Sequence, residues 1–112
     1  MGTAPKEMAV IFEKLYKGEI INDSLSKKMI RLLGRNYWDE EALSEIPATI
    51  FAASKSGAVD ASRSEILLVM AKEPYILSVF TKNNTDQSWN TSNEAWVLFR
   101  KLSKIVYDYY SR

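Results

Sequence analysis

The spacing of apolar residues predicts two short helices at the start of the chain. Between Ala4 and Lys17, apolar side chains recur every three or four residues, as one face of an amphipathic helix requires. Thr3 is a candidate cap for this helix, and Gly18 stands where it would end. A second predicted helix follows, with an N-cap among Asn22–Ser24 and a stop at Gly34. The apolar positions are Met8, Ile11, Phe12, Leu15 and Tyr16 in the first helix and Leu25, Met29, Leu32 and Leu33 in the second.

From residue 49 onward the pattern changes to that of β-strands. The predicted strands are three runs of apolar and β-branched residues, Thr49–Lys55, Ser62–Met70 and Tyr75–Lys82. Only short segments separate them, which favours antiparallel hairpins. The stretches Ile66–Met70 and Tyr75–Phe80 are apolar at successive positions, so both strands are expected to be covered on both faces.

The last element is predicted to be a long helix over Glu94 to Tyr110, after a polar stretch at residues 83–93. Trp96, Phe99, Leu102 and Val106 are its predicted core positions. The sequence therefore predicts an α+β fold with two N-terminal helices, a three-stranded antiparallel sheet and a C-terminal helix. We expect this fold to form a single domain over residues 1–112, with a helical part at 1–47 and the sheet and last helix at 48–112.

Composition narrows the possible functions. The chain has 112 residues, 46% of them hydrophobic, which is enough for one domain with a real core. Its net charge of +1 gives no electrostatic reason to expect nucleic acid as a partner, and no apolar stretch is long enough to span a membrane. Cysteine and histidine are absent, which excludes thiol nucleophiles, Ser-His-Asp triads and zinc fingers within this chain. No cofactor is expected.

Lys55-Ser56-Gly57 is the main candidate for chemistry. A lysine ammonium and a serine hydroxyl side by side can hold a carboxylate, because one supplies a fixed charge and the other a directional hydrogen bond. Gly57 lets a substrate approach the backbone closely. The alternative interpretation is the end of a strand followed by a turn, with Lys55 solvated.

Other polar residues have two interpretations each. Arg63 and Glu65 either line the same cleft or form an exposed pair. The acidic run Asp39-Glu40-Glu41 is interpreted as a polar loop and no metal site is predicted, because no further ligand supports one. Tyr37 and Trp38 are expected to dock on neighbouring helices.

Several segments, taken in order, resemble the C-terminal half of class A β-lactamase-like serine hydrolases, which are related to penicillin-binding proteins. The resemblance covers essentially the whole chain and rests on order and spacing. It is carried by Pro5–Ala9 with Leu15–Glu19, Ser26–Ile30 with Leu32-Leu33, Ala52–Gly57 followed by Asp60, Arg63, Ser64 and Glu65, and Pro74–Lys82 with the C-terminal helix.

This resemblance implies a substrate-binding role for residues 55–58. By the match, Lys55 and Ser56 would hold the carboxylate of a β-lactam or related amide, with Ser56 in place of the usual threonine. Gly57 would admit the substrate, and the backbone N–H of Ala58 would form half of an oxyanion hole. The relatives are mostly exported, so an extracytoplasmic location and a part in antibiotic resistance are implied by analogy.

The nucleophile of such enzymes is missing from the sequence. The family carries it in Ser-x-x-Lys, and the one literal match, Ser24 to Lys27, is interpreted as an N-cap with a solvated lysine. We therefore expect the C-terminal part of a hydrolase, inactive alone. The first strands of the family's sheet are missing too, so the edge of the strand at Tyr75–Lys82 is expected to pair with an N-terminal half or with a second copy. The alternative is a non-catalytic binding module derived from that fold.

Overall fold

The computed structural model describes residues 5–34 and 41–112. It confirms the predicted α+β class and order of elements, with a short 3₁₀ helix added in the connection before the sheet. The predicted roles of Thr3, Tyr37, Trp38, Asp39 and Glu40 fall outside the described residues. The elements are α1 (Pro5–Tyr16), α2 (Asp23–Leu33), the 3₁₀ helix (Ala42–Glu45), β1 (Ala52–Val59), β2 (Ser62–Val69), β3 (Tyr75–Thr81) and α3 (Glu94–Tyr110).

The sheet is an antiparallel meander in the order β1-β2-β3. Val59 pairs with Ser62 at the end of the first hairpin, so that only two residues form the turn. Across the second hairpin, Val69 pairs with Tyr75. The short connections predicted from sequence therefore do join neighbouring antiparallel strands.

The bounds of β1 differ from the prediction. The strand was predicted to end at Lys55, but it runs on to Val59. Residues 56–59 remain extended because Glu65, Ser64, Arg63 and Ser62 of β2 pair with them one by one. A glycine inside a strand lowers the stability of the strand only slightly. Here the hydrogen-bonded pairing with β2 outweighs this loss.

The core has two layers, one on each face of the sheet. On one face, α1 and α2 cover alternate residues of the three strands. On the other face, α3 and the 3₁₀ helix cover the residues in between. This division follows from the alternation of side chains along a strand. The first layer contains Phe12, Leu15, Ala53, Ile66 and Leu68. The second is built around Leu43, Leu67, Val69, Trp96 and Phe99.

The helices bury narrower faces than their apolar spacing predicts. In α1, Phe12 and Leu15 are buried, whereas Ile11 and Tyr16 are exposed. In α2, the fully buried residue is Ser26, and Leu32 is 74% exposed. Ser26 is buried because its hydroxyl donates to the carbonyl of residue 20 (2.8 Å) and accepts from the N–H of that residue (3.0 Å). Polar groups with such partners can be buried at low cost.

The cap of α2 is Asn22, whose side chain accepts a hydrogen bond from the N–H of Leu25 (2.8 Å). Asn22 was one of the three candidates, whereas the specific interpretation of Ser24 as the cap is wrong. Ser24 is exposed. Lys27 is solvated as expected, and its ammonium nitrogen lies 3.0 Å from a carboxylate oxygen of Asp23, one turn earlier in the helix.

The prediction that both apolar strands are covered on both faces holds for β2 alone. Residues 65–69 of β2 are all buried. In β3, Tyr75 is buried, but the following residues are only half-buried. The difference arises because β2 is central in the sheet, whereas β3 is at its edge.

Candidate substrate-anchoring site

Lys55-Ser56-Gly57, the main candidate motif of the sequence, lies on β1, an edge strand of the sheet. The five residues from Lys55 to Val59 are all exposed. On the outer side of β1, the described part of the chain supplies one isolated bridge, between Gly34 and Ala53. Beyond that bridge, the outer edge of β1 is open to a ligand, and backbone N–H and C=O groups at an open edge can bind an extended substrate.

Lys55 and Ser56 point to opposite faces of the sheet. Lys55 is opposite Ile66, on the face covered by α1 and α2, whereas Ser56 is opposite Glu65, on the face covered by α3. The ammonium of Lys55 donates a hydrogen bond to the carbonyl of Ser56 (2.8 Å). The two side chains therefore flank the edge of the sheet, and a carboxylate lying along that edge is within reach of a group from each face.

A cavity of about 740 Å³ opens at the free end of the first hairpin. Gly57 and Ala58 line it, together with Val59, Phe80 and other residues of β2 and β3, and the lining is mostly apolar. Lys55 and Ser56 are not among its lining residues. The structure thus brings the glycine and the predicted oxyanion donor to the cavity, and it leaves the two predicted carboxylate ligands beside it on the strand edge.

Arg63 is almost completely buried, with 1% of its surface exposed. Its guanidinium donates to the carbonyl oxygens of Val59, Asp60 (2.8 Å) and Ser62 (3.1 Å), and to that of Ser88 (3.0 Å). The interpretation of Arg63 as part of an exposed pair is therefore wrong. Arg63 does border the cavity beside Gly57 and Ala58. Its guanidinium also ties the turn of the hairpin to the loop before α3.

Two indole rings complete the surroundings of Arg63. Its guanidinium carbon lies 4.5 Å from the ring centre of Trp89 and 5.5 Å from that of Trp96. Contacts of this kind stabilise a cation through the ring quadrupole. Trp89 is 63% exposed and forms the outer cover of the stack. The one sign of this stack in the sequence is a tryptophan in an otherwise polar stretch.

Glu65 is also buried, with 4% of its surface exposed, so neither sequence interpretation holds for it. Its carboxylate accepts hydrogen bonds from the N–H groups of Ala42 (2.9 Å) and Leu43 (3.3 Å), at the start of the 3₁₀ helix. A carboxylate in this place satisfies backbone donors that the helix itself cannot pair. Glu65 thus ties the connection after α2 to the strand that supports Ser56.

The loop between β3 and α3 is held by Asp86. Its carboxylate accepts from the N–H (3.0 Å) and hydroxyl (2.8 Å) of Ser88 and from the N–H of Glu94 (2.9 Å). These bonds, the one from the Ser88 N–H first, lower the pKa of Asp86 from its ordinary value. Asn93, which is buried, donates to the carbonyls of Asp86 (3.1 Å) and Ser88 (2.9 Å). The loop therefore presents a fixed carbonyl of Ser88 to Arg63.

Within residues 5–34 and 41–112, no cluster of three acidic side chains is arranged to hold a metal ion. None of the helices in the same ranges combines the length and the apolar character that crossing a membrane demands.

Comparison with known proteins gives the family. The sequence matches the Beta-lactamase enzyme family over residues 2–110. This chain therefore belongs to that family, and it has the corresponding hydrolase fold. The solved structure of PBP-A superposes with a TM-score of 0.80 at 18% sequence identity, covering 96% of this chain and 39% of that chain. At this identity the likeness shows the fold alone. No curated protein matches the sequence.

Proposed function

We propose that this chain is the substrate-anchoring part of a β-lactamase-like serine hydrolase. The observation that carries the proposal is the exposed stretch from Lys55 to Ala58 on the open edge of β1, in a chain of this family. Lys55 and Ser56 flank the edge where a substrate carboxylate would lie, and the N–H of Ala58 is the proposed oxyanion donor. The substrate would be a β-lactam or a related amide.

The catalytic serine would be supplied by another polypeptide segment. This chain spans about two-fifths of the PBP-A chain and has no Ser-x-x-Lys other than Ser24–Lys27. That match lies in the first turn of α2, with Lys27 next to Asp23 and open to solvent. Lys27 is thus engaged in an exposed ion pair one helical turn away, as is common on helix surfaces. Alone, the chain would not turn over substrate.

The hydrolase would act by an acyl-enzyme. A serine from the partner segment would attack the amide carbonyl, and the Ala58 N–H would stabilise the negative oxygen that forms. The C–N bond would then break as the nitrogen takes up the proton that the serine gave up. Water would hydrolyse the resulting ester, releasing the acid and the free serine. One such donor contributes on the order of 3 kcal/mol to transition-state stabilisation. For the whole protein, an extracytoplasmic location is part of the proposal by analogy with the family.

The test measures hydrolysis of a chromogenic β-lactam. The chain is assayed alone and after mixing with the polypeptide encoded in frame immediately upstream of Met1. We expect no turnover alone, turnover in the mixture, and a decrease in kcat/KM of roughly 10- to 100-fold with Lys55→Ala, because one charge-assisted hydrogen bond is lost. Lys72→Ala, which removes an exposed lysine in the second hairpin turn, is the matched control.

Two results would contradict the proposal. Turnover by the isolated chain, lost with Lys55→Ala, would show that the nucleophile lies within these residues. An absence of any in-frame polypeptide upstream, together with binding but no hydrolysis of the β-lactam, would favour the alternative, a non-catalytic binding module.

A further inference from the structure

Trp89, in the loop between β3 and α3, has one open face. It exposes 63% of its surface, the largest fraction of any aromatic side chain within residues 5–34 and 41–112. The guanidinium carbon of Arg63 lies 4.5 Å from the centre of its ring, and Arg63 itself is buried, so this contact covers the inner side. A flat ring that is covered on one side keeps its other side open. The outer face of Trp89 is therefore available to a ligand.

The loop holds this ring in place before any ligand binds. The carbonyl of Ser88, the residue before Trp89, accepts hydrogen bonds from Arg63 (3.0 Å) and from Asn93 (2.9 Å). The N–H of Ser88 donates to the carboxylate of Asp86 (3.0 Å). The cation–π contact between the ring and Arg63 adds a further constraint. Because an ordered site loses little conformational entropy on binding, even a small contact area can give a measurable affinity.

The polar groups next to Trp89 in the sequence are almost all uncharged. Besides Trp89, residues 83–92 contain only asparagine, threonine, serine, glutamine and one aspartate. This aspartate, Asp86, already accepts three hydrogen bonds within the loop. Arg100 of α3, which donates to the same loop, forms an ion pair with Glu41 (2.5 Å). The segment therefore offers an aromatic face and neutral hydrogen-bonding groups. The exposed side chains with a hydroxyl or an amide are Thr85, Gln87, Asn90, Thr91 and Ser92.

This combination of groups favours one class of ligand. Single-stranded nucleic acid also stacks on aromatic rings, but its phosphates need lysine or arginine side chains, which residues 83–92 lack. A protein partner or a lipid surface would bury several apolar side chains, whereas Trp89 is the one apolar residue of this segment. A pyranose ring has an apolar face of C–H groups and a rim of hydroxyls. It can stack on an indole and, at the same time, hydrogen-bond with amides and hydroxyls.

We propose that the outer face of Trp89, with the hydroxyl and amide groups of residues 83–92, binds a neutral saccharide. One sugar ring lies flat on the indole, and its hydroxyls exchange hydrogen bonds with the neutral side chains of the loop. The site adjoins the first hairpin, because Arg63, which covers the inner face of the ring, also donates to the carbonyls of Asp60 and Ser62. The inference goes beyond the proposed function and does not depend on it, because the whole site lies within this chain.

The test titrates the isolated chain with cellotetraose and with chitotetraose, two neutral oligosaccharides, and follows the indole N–H signals by two-dimensional NMR. The Trp89 signal is identified as the one that Trp89→Phe removes. It should shift with a dissociation constant on the order of 1 mM, because one stacked ring buries a small area. In backbone-amide titrations, Trp89→Ala should weaken binding at least about fivefold, as expected for the loss of one aromatic stack. Trp89→Phe, which keeps a smaller ring, should weaken it about threefold.

The matched control is Tyr109→Ala. Tyr109 is 58% exposed and has the guanidinium carbon of Arg112 5.3 Å from its ring centre, but it lies on α3 rather than in a neutral polar loop. Its replacement should leave the dissociation constant within about twofold of the wild-type value. Far-ultraviolet circular dichroism checks that each variant is folded. If Trp89→Ala is not folded, the comparison of Trp89→Phe with Tyr109→Ala decides.

Three results would overturn the inference. The first is the absence of binding by both oligosaccharides at about 20 mM, well above the expected dissociation constant. The second is equal weakening by the Trp89 and Tyr109 variants, which would indicate non-specific association. The third is an oligothymidine of eight nucleotides that binds through Trp89 more tightly than either sugar, since nucleic acid would then be the ligand. None of these results depends on hydrolysis of a β-lactam, so the proposed function and this site can fail separately.

Discussion

Replacing Arg63 with methionine should destabilise the chain strongly, although Arg63 contacts no substrate in the proposed function. Methionine is of comparable length and keeps apolar contact with Trp89 and Trp96. It removes the guanidinium that donates to four carbonyl oxygens, three in the hairpin turn and one at Ser88. The variant therefore measures the contribution of the hydrogen bonds while most of the apolar contacts of the side chain are kept.

The magnitude follows from the groups left without partners. One guanidinium nitrogen is shared among the three turn carbonyls and the other bonds Ser88, so about two charge-assisted hydrogen bonds are lost, at roughly 1.5–3 kcal/mol each. The cation–π contacts add about 1 kcal/mol. In the other direction, Nε of Arg63 is buried without a partner in the described residues, and its removal recovers about 1 kcal/mol. The net expected loss is about 3–6 kcal/mol.

Equilibrium unfolding in urea, followed by far-ultraviolet circular dichroism, measures this loss. Arg63→Lys should fall between the wild type and Arg63→Met, because an ammonium keeps the charge but not the planar fork of donors. The matched control is Arg112→Met, which removes an exposed guanidinium lying 5.3 Å from the ring of Tyr109. Its expected effect is below about 0.5 kcal/mol. A loss below about 1 kcal/mol for Arg63→Met would refute the reasoning.

Three further predictions concern single side chains. Asn22→Ala should cost about 1 kcal/mol in urea unfolding because the cap of α2 is lost, whereas Ser24→Ala should be nearly neutral. Tyr75→Phe should leave stability unchanged or raise it by up to about 1 kcal/mol, because the buried hydroxyl has no partner in the described residues. Burial raises the pKa of Tyr75, so the unfolded state loses this proton at a lower pH than the folded state. The free energy of unfolding should therefore be unaffected by this group below about pH 9 and should fall above about pH 10. Tyr75→Phe should remove this contribution to the alkaline loss of stability. The hydrogen bonds to Asp86 lower its pKa, so its contribution to stability is present above about pH 5 and is lost as the pH falls below the ordinary pKa of about 4. Asp86→Asn should flatten this acid limb of the stability curve, and a limb unchanged in midpoint and size would contradict the assignment.

Local sequence patterns predicted the order of the elements well. The bounds of α3, residues 94–110, agree with the structure because its apolar residues recur with helical spacing and Asn93 caps it. The family resemblance stated from the order of motifs is confirmed by the match over residues 2–110. The roles of Lys55, Ser56, Gly57 and Ala58 remain predictions, although the structure places all four on an accessible edge.

Tertiary contacts determined the end of β1 and the burial of two charged side chains. The sequence alone determined the helices, the hairpins and the class of fold, because apolar period and turn residues act over a few neighbouring positions. It did not determine the end of β1, since the extension from Lys55 to Val59 depends on pairing with β2. Nor did it show that Arg63 and Glu65 are buried. Both hydrogen bonds to Glu65 come from backbone groups 22 and 23 residues away, and one of the carbonyls bound by Arg63 is 25 residues away. Charged residues look solvated in a sequence, and only the folded chain supplies the carbonyls and N–H groups that allow their burial.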